Sequence, residues 1–282
     1  MQADKNKKFL GAFCVGISAL AFALMSMFIK SVTLHGMSAV EVAFARFLVG
    51  FVVLNAIYLL RPVPLRPSKP GWVYLRAFFT GLAAICFFIG ISSTTLVNAN
   101  LLNMAYPVFV AMLAPFWNRE AFSLSKGISV AAAILGIYLV VQHKSGFSAG
   151  DIWALLSGML AAGGISSLKE ARMQDTSFII LYYLMVFGLV MTSAAMPLFI
   201  IPDLDTACLL ILIGVLSLIA QFLITYGYRY VKAIEGSLIS TTRIVFAGVL
   251  GMFFFSESIN ISFVLGAVLI AFSIIWIQAR SA

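Results

Sequence analysis

The sequence predicts an all-α membrane protein with ten transmembrane helices, arranged as two inverted repeats of five helices each. Three observations support this fold class. Of the 282 residues, 62% are hydrophobic and only 10% are charged, whereas soluble domains carry roughly a quarter charged residues. Apolar segments of about 20 residues, long enough to cross a bilayer, follow one another along the whole chain. The second half of the chain also repeats a long stretch of the first half at a fixed spacing.

The ten predicted spans are bounded by charged residues, proline or glycine. They cover residues 9–29, 40–60, 72–92, 97–117, 123–142, 149–169, 178–199, 207–228, 236–255 and 260–279. The first span follows a basic N-terminus, which a signal peptide would share. Its apolar run is longer than a signal core and no small-residue cleavage site follows it, so we expect an uncleaved first helix.

The repeat relates two apolar stretches that carry polar residues at matching places. Residues 96–122 read LVNANLLNMAYPVFVAMLAPFWNREAF, and residues 233–259 read AIEGSLISTTRIVFAGVLGMFFFSESI. A shift of 137 positions (238 − 101) places Leu101 on Leu238 and aligns the two stretches without a gap. Five predicted spans fit within this shift. Because five is odd, the second half enters the membrane from the opposite side, and the two halves form an inverted pair.

Positive charge predicts the orientation of the chain. With the N-terminus in the cytoplasm, fourteen of the 18 Lys and Arg residues, Arg76 among them, fall on the inner side, and only Lys30 and Lys144 fall on the outer side. Cytoplasmic loops are rich in these residues. We therefore expect an inner-membrane protein with both termini in the cytoplasm, and we assign the repeats to residues 1–143 and 144–282. The formal charge of +8 then reflects these loops and not a nucleic-acid partner.

Three motifs resemble the EamA-type, ten-helix members of the drug/metabolite transporter superfamily. They are EVAFARFLVGFVVL in the second span, NANLLNMAYPVFVAMLAPFWNRE in the fourth span, and the second copy of the latter at Ser237–Glu257. The resemblance covers the whole chain. It implies two five-helix bundles around a central cavity, and the export or exchange of small metabolites such as amino acids. The chain departs from the family at the Gly-Glu-Arg turn, replaced by residues 118–120 and 256–258, and at Arg243, where the family has a small or apolar residue.

Arg243 is the most informative candidate for substrate binding. It lies about eight residues into the ninth span, roughly 12 Å along the helix axis, and an Arg in mid-helix costs about 2.5–3.5 kcal/mol on insertion. Such a residue faces a bundle interior or a watery cavity, where it can bind a carboxylate or phosphate bidentately. A fixed ion pair with Glu235, or snorkelling to the cytoplasmic face, is the alternative. Ser240, Thr241 and Thr242 either extend the polar lining or bond to their own helix.

Tyr106 occupies the position of the first repeat that is equivalent to Arg243. With Asn103 and Asn100 it forms a polar strip at helical spacing. Because a buried Asn without partners costs a few kcal/mol, we expect this strip to face the cavity or to bond to a neighbouring helix. Pro107 removes one backbone donor and can kink the fourth span near the midplane.

The second span contains a second Arg within its apolar run, Arg46, with Glu41 five residues before it. We expect these two residues to form a structural ion pair near the outer surface, with a functional role for Arg46 as the alternative. Further candidates for the cavity lining are Ser26 in the first span and Gln221, Thr225 and Tyr226 in the eighth span.

Several kinds of chemistry have no pattern in this sequence. No Asp or Glu lies at the centre of a predicted span, and His35 and His143 are isolated in loops. Neither a Walker loop nor an HExxH motif is present. We therefore expect no cofactor, no metal site and no enzymatic activity.

The predicted function is secondary transport by alternating access, as a monomer or homodimer in the lipid bilayer. Small molecules, in particular amino acids or their derivatives, are the expected substrates, with an exchanged S-adenosylmethionine or nucleotide-type metabolite as the alternative. A membrane enzyme acting on lipid-linked substrates and a non-transporting partner subunit are the rivals from other classes.

Overall fold

The protein is described here by a computed structural model that covers residues 2–117, 124–141, 148–193, 201–230 and 239–280. These parts of the chain form eleven helices and contain no β-strand. The helices are α1 (Gln2–Leu34), α2 (Ala39–Leu60), α3 (Pro70–Ser93), α4 (Leu96–Asn103), α5 (Tyr106–Trp117), α6 (Leu124–Val141), α7 (Ala149–Arg172), α8 (Ser177–Thr192), α9 (Leu204–Gly227), α10 (Thr242–Phe255) and α11 (Ile261–Arg280).

Five of these helices are long and apolar enough to cross a bilayer, judged by length and composition. They are Phe9–Leu34, Ala39–Leu60, Pro70–Ser93, Ala149–Arg172 and Leu204–Gly227. Shorter apolar helices fill most of the other predicted spans; they are Ser177–Thr192, Thr242–Phe255 and Ile261–Ser273, and the apolar stretch Leu96–Val110 comprises α4 and the start of α5. Helix α6 occupies the fifth predicted span. The prediction of an all-α, multi-pass membrane protein with ten spans is confirmed.

The fourth span is not a continuous helix. Helix α4 ends before a turn at Met104 and Ala105, and α5 begins immediately after it. Pro107 is the second residue of α5 and follows the turn directly. A proline in the first turn of a helix costs little, because the N–H that it lacks has no intrahelical acceptor there. The kink expected at Pro107 is therefore a full break of the helix, just before this residue.

The ninth span contains a one-residue turn at the equivalent place. Residues 239–240 are helical, Thr241 forms a turn, and α10 begins at Thr242. The shift of 137 positions (241 − 104) places this turn on Met104 of the first repeat. A short turn therefore interrupts the helix at equivalent places in the two repeats. Discontinuous helices of this kind surround the binding sites of many secondary transporters.

The helices pack in a reciprocal pattern that relates the two repeats. Helix α1 packs along α9, and α3 packs along α7. The first helix of each repeat thus contacts the third helix of the other repeat. Helices α6 and α11, the last of each repeat, pack against each other, and so do α2 and α8. Because an odd number of spans separates equivalent helices, this pattern confirms the inverted repeat that the sequence predicts.

Glycines of α7 allow its backbone to approach α3 and α4 closely. A Cβ atom at Gly150 would lie 2.5 Å from the carbonyl carbon of Ser93, and one at Gly158 would lie 2.8 Å from the carbonyl oxygen of Leu102. Both contacts are with backbone atoms, which cannot rotate away. Small residues are typical of membrane-helix interfaces that need such close approach. Gly150 and Gly158 thus allow α7, the first helix of the second repeat, to pack against α3 and α4, which line the cavity described below.

An ion pair closes the end of the bundle that lies opposite the N-terminus. The Lys30 Nζ atom at the end of α1 lies 3.1 Å from Glu257 Oε1, which follows α10. The same carboxylate accepts hydrogen bonds from the backbone N–H groups of Leu96 (2.6 Å) and Val97 (3.1 Å) at the start of α4. Lys30 also donates to the carbonyl oxygen of Thr94 at 2.6 Å. Glu257 thereby joins α1, α4 and the end of α10.

Candidate functional site

A cavity of about 110 Å³ lies between the two repeats. Residues of α1, α2, α3, α4, α5, α7, α9 and α10 line it, together with the turns that precede α5 and α10. The polar part of its lining consists of Ser18, Arg46, Arg76, Thr80, Asn103, Tyr106, Gln221, Ser240 and Arg243. Among the described residues, no Asp or Glu lines the cavity. Three guanidinium groups therefore share one cavity that contains no described carboxylate.

Arg243 is held by amide and hydroxyl groups from the first repeat. Its Nε donates to Oδ1 of Asn100 at 2.6 Å, and its Nη1 donates to Oδ1 of Asn103 at 3.4 Å. Its Nη2 donates to the hydroxyl of Ser26 at 3.3 Å. The side chain is 5% exposed. The Asn100 and Asn103 strip, expected to face the cavity or to bond to a neighbouring helix, thus bonds to Arg243 of α10. Glu235, the alternative partner of Arg243, lies outside the described residues.

These contacts leave part of the Arg243 guanidinium free for a ligand. The group carries five N–H donors, and three of them go to Asn100, Asn103 and Ser26. Among the residues that the structure describes, one N–H on each terminal nitrogen therefore has no partner. The rings of Phe22 and Phe87 lie 5.1 Å and 4.6 Å from its central carbon and hold it in place by cation–π contact. A pair of N–H groups on the two terminal nitrogens suits bidentate binding of a carboxylate.

Arg76 is a cavity residue that the sequence-based prediction missed. The prediction counted it among the charges flanking the membrane, but the structure buries it to 3% exposure on α3, inside the cavity. Its Nη2 donates to Oε1 of Gln221 at 3.4 Å. A signal was present in the sequence: Arg76, Thr80 and Phe87 recur at helical spacing along one face of α3, and all three line the cavity.

Arg46 also lies at the cavity, which corrects the expected ion pair with Glu41. Its Nε donates to the hydroxyl of Ser217 on α9, and the Phe47 and Phe88 rings lie 4.9 Å and 5.4 Å from its central carbon. Residues five apart on a helix point about 140° away from each other, so the two side chains do not share a face.

Glu41 instead serves the start of its own helix. It accepts a hydrogen bond from the backbone N–H of Ser38 at 2.9 Å and completes the capping box of α2. Such a box satisfies N–H groups that have no intrahelical acceptor. The carboxylate is therefore part of the helix terminus and not of the cavity.

A cluster of hydroxyl groups lies beside the broken helices. The Tyr106 hydroxyl, at the first residue of α5, lies 3.3 Å from the hydroxyl of Tyr228. Ser240, just before α10, interacts with both phenols. Asn103 lines the cavity as well and donates to the Ser157 hydroxyl at 2.9 Å. The breaks in α4–α5 and before α10 thus bring equivalent polar residues of the two repeats to one wall of the cavity.

Other predicted site residues lie behind the cavity wall or away from it. Asn100 and Ser26 are fully buried and do not line the cavity, and they act on it only through Arg243. Gln221 lines the cavity. Thr225 and Tyr226 do not; Tyr226 packs instead on the ring of Phe222. Of the three residues predicted to line the cavity from the eighth span, the structure places only Gln221 there.

The fold and the cavity define the class of the protein: a multi-pass membrane protein with inverted repeats, broken helices and a buried polar cavity between the repeats. The sequence profile of the EamA-like transporter family matches the chain twice, over residues 9–142 and 148–278. The chain therefore belongs to the EamA-like transporter family, and the resemblance noted from its motifs is confirmed. It is a small-molecule transporter embedded in a membrane.

Named relatives support this class over nearly the full chain. An uncharacterized transporter of Helicobacter pylori is 27% identical, over 94% of this chain and 93% of its own length. The pseudopaline exporter CntI of Pseudomonas aeruginosa is 25% identical, over 92% of this chain and 93% of its own length. Solute carrier family 35 member G1 of Mus musculus is 28% identical, over 88% of this chain and 72% of its own length.

The fold has also been seen in a crystal. A solved structure covers 99% of this chain and 98% of its own chain with a TM-score of 0.60. Its sequence is 17% identical to this one. At that identity the likeness concerns the fold alone.

Proposed function

We propose that this protein is a secondary transporter that moves small, carboxylate-bearing metabolites, amino acids or their derivatives, by alternating access. The single observation that carries this proposal is Arg243: a buried guanidinium in the cavity, fixed by three neutral side chains and left with one N–H on each terminal nitrogen. A buried cation without a described carboxylate is best satisfied by an anionic ligand. A carboxylate fits the planar, paired donors.

The half-helix N-termini add to this preference for anions. Helix α5 begins at Tyr106, which lines the cavity, and α10 begins at Thr242, one residue before the cavity residue Arg243. Helix N-termini carry partial positive charge and unsatisfied N–H groups. In this proposal the substrate lies between the two breaks, and the halves of the molecule rock about it.

The positive charge of the cavity argues against S-adenosylmethionine, the alternative substrate. That molecule carries a sulfonium and an ammonium against a single carboxylate, and its net positive charge would meet three arginines in the cavity. Export is the direction that we favour, because one relative is named as an exporter. An enzyme acting on lipid-linked substrates would need converging acid, base or metal groups, and the described cavity lining consists of arginines, amides and hydroxyls.

Transport is tested with the purified protein in liposomes. We expect vesicles preloaded with an unlabelled amino acid or derivative to accumulate the labelled compound several-fold above vesicles without protein. S-Adenosylmethionine is included in the panel and is expected to give no such counterflow. Absence of flux for every compound in the panel, from protein that is folded and inserted, would contradict the proposal.

The proposed location is the inner membrane, with both termini in the cytoplasm. His35 and Met173 are exposed residues in equivalent connections of the two repeats. Inversion puts them on opposite faces. In a chain whose native cysteines are replaced by alanine, we expect a membrane-impermeant maleimide added to intact cells to label His35→Cys and not Met173→Cys. Disrupted cells serve as the control, in which both are labelled. Labelling of Met173→Cys alone in intact cells would show that the chain has the opposite orientation.

A further inference from the structure

The three arginines of the cavity are not gathered at one point. Arg76 and Phe87 lie on the same helix, α3, eleven residues apart (87 − 76). This separation is about 16 Å along the helix axis. The Arg243 guanidinium lies over the Phe87 ring, at 4.6 Å. Arg243 is therefore at one end of the α3 face that lines the cavity, and Arg76 is at the other end.

The Arg76 end of the cavity contains buried polar atoms that have no hydrogen-bond partner among the described residues. Within the described residues, Nε of Arg76 and the hydroxyl of Thr80 are buried and have no hydrogen-bond partner. The one hydrogen bond of Arg76, to Gln221, is long at 3.4 Å. Leaving a buried donor unsatisfied costs about 1–3 kcal/mol, and more for a charged group. Both residues line the cavity one helical turn apart, so an anionic ligand at this end would supply acceptors that the described residues do not.

A glycine of α7 packs against the same two groups. A Cβ atom at Gly164 would lie 2.5 Å from the Thr80 hydroxyl and 3.2 Å from Nη1 of Arg76. Any larger residue would therefore press on both groups. Gly164 therefore lets the backbone of α7 pack close to the Arg76 guanidinium and the Thr80 hydroxyl, without a side chain that would displace either group.

We propose that the substrate of this cavity carries two anionic groups held apart, as in an α,ω-dicarboxylate or a dicarboxylic amino-acid derivative. One carboxylate binds the free N–H groups of Arg243. The other binds Arg76 and the Thr80 hydroxyl, while Arg46 adds positive charge between α2 and the ligand. This inference rests on the proposed function, since it names the class of substrate for the same site. A monocarboxylate satisfies only one end.

Equilibrium binding tests the inference without relying on transport. The full-length protein in detergent is titrated with straight-chain dicarboxylates from succinate to suberate, and with monocarboxylates of the same carbon numbers. We expect the best dicarboxylate to bind about tenfold or more tightly than its monocarboxylate partner, which is the effect of one additional charge-assisted contact. Equal binding of the two series at every chain length would overturn the inference.

Substitution of Arg76 tests whether this residue binds the second carboxylate of the ligand. In Arg76→Gln we expect the preference for dicarboxylates to fall to nearly onefold, while monocarboxylates bind as before. Arg76→Lys retains a cation and is expected to keep part of the preference. Arg172, whose side chain donates to Ser177 outside the cavity, provides the matched control Arg172→Gln with the preference unchanged. Because the preference is a ratio within each variant, loss of part of the sample to misfolding does not alter it. A full preference in Arg76→Gln would contradict the assignment.

Two further outcomes separate this inference from the proposed function. Dicarboxylate preference without any flux in liposomes would support the two-anion site and overturn transport. Flux with equal binding of both acid series would support transport and overturn the two-anion site. Glycerol 3-phosphate tests for a single doubly charged group: tighter binding than every dicarboxylate, unchanged in Arg76→Gln, would also overturn it.

Discussion

Replacing Arg243 by glutamine is expected to lower flux by at least about a hundredfold while leaving the protein folded. The substitution removes the charge and the paired N–H groups that face the cavity. A factor of one hundred corresponds to about 2.7 kcal/mol, which is within the range for removing one partner of a buried charge-assisted interaction. Glutamine keeps a polar group beside Asn100 and Asn103, so their side-chain oxygens retain a donor.

The measurement compares counterflow and thermal stability in the same reconstituted samples. Arg172→Gln is the matched control, because it removes an arginine outside the cavity lining and is expected to keep wild-type flux. Arg243→Lys retains the charge but not the planar pair of donors, and we expect intermediate flux. Wild-type flux in a well-folded Arg243→Gln protein would show that Arg243 is not part of the binding site.

Among the proposed substitutions, replacing Glu257 by alanine is expected to cause the largest loss of thermal stability. The carboxylate, whose side chain is 8% exposed, pairs with Lys30 and accepts two backbone hydrogen bonds at the start of α4. Its removal leaves a nearly buried ammonium and two N–H groups without this partner. Breaking a buried pair in this way costs about 3–5 kcal/mol, which corresponds to a lowering of the melting temperature by roughly 6–20 °C.

Two comparisons separate the ion pair from the helix cap in thermal melts. Lys30→Ala is expected to lower the melting temperature by less than Glu257→Ala, because the carboxylate still caps α4. The charge swap, Lys30→Glu with Glu257→Lys, is not expected to restore stability, since a lysine at position 257 cannot accept from Leu96 and Val97. Full recovery in the swapped protein would show that the cap contributes nothing.

The ten spans and their inversion could be predicted because they follow from counting. Apolar runs of sufficient length set the number of helices, and an odd number of spans within the repeat sets the inversion. The breaks in the helices were harder to predict. Pro107 marks the first one, but the equivalent turn at Thr241 has neither proline nor glycine. No local signal distinguishes Thr241 from its neighbours.

The site was predicted in part, and each error has a physical cause. Arg243 stands out because a cation deep within a span is costly unless it has a function. Arg76 lies only six residues after the start of α3 at Pro70 (76 − 70), and there the sequence does not distinguish a buried arginine from one that flanks the membrane. Arg46 was assigned to Glu41 by proximity in sequence, whereas its partner Ser217 comes from a distant helix.

The sequence by itself determined that this chain is a membrane protein of two inverted halves, because hydrophobic length, charge bias and internal repetition are properties of a linear chain. Only the tertiary structure decided which polar side chains meet in the cavity. Spans that are apolar on nearly every face carry little information about their rotation. The rotation that turns Arg46, Arg76 and Arg243 into the same cavity is set by the packing of helices from both repeats.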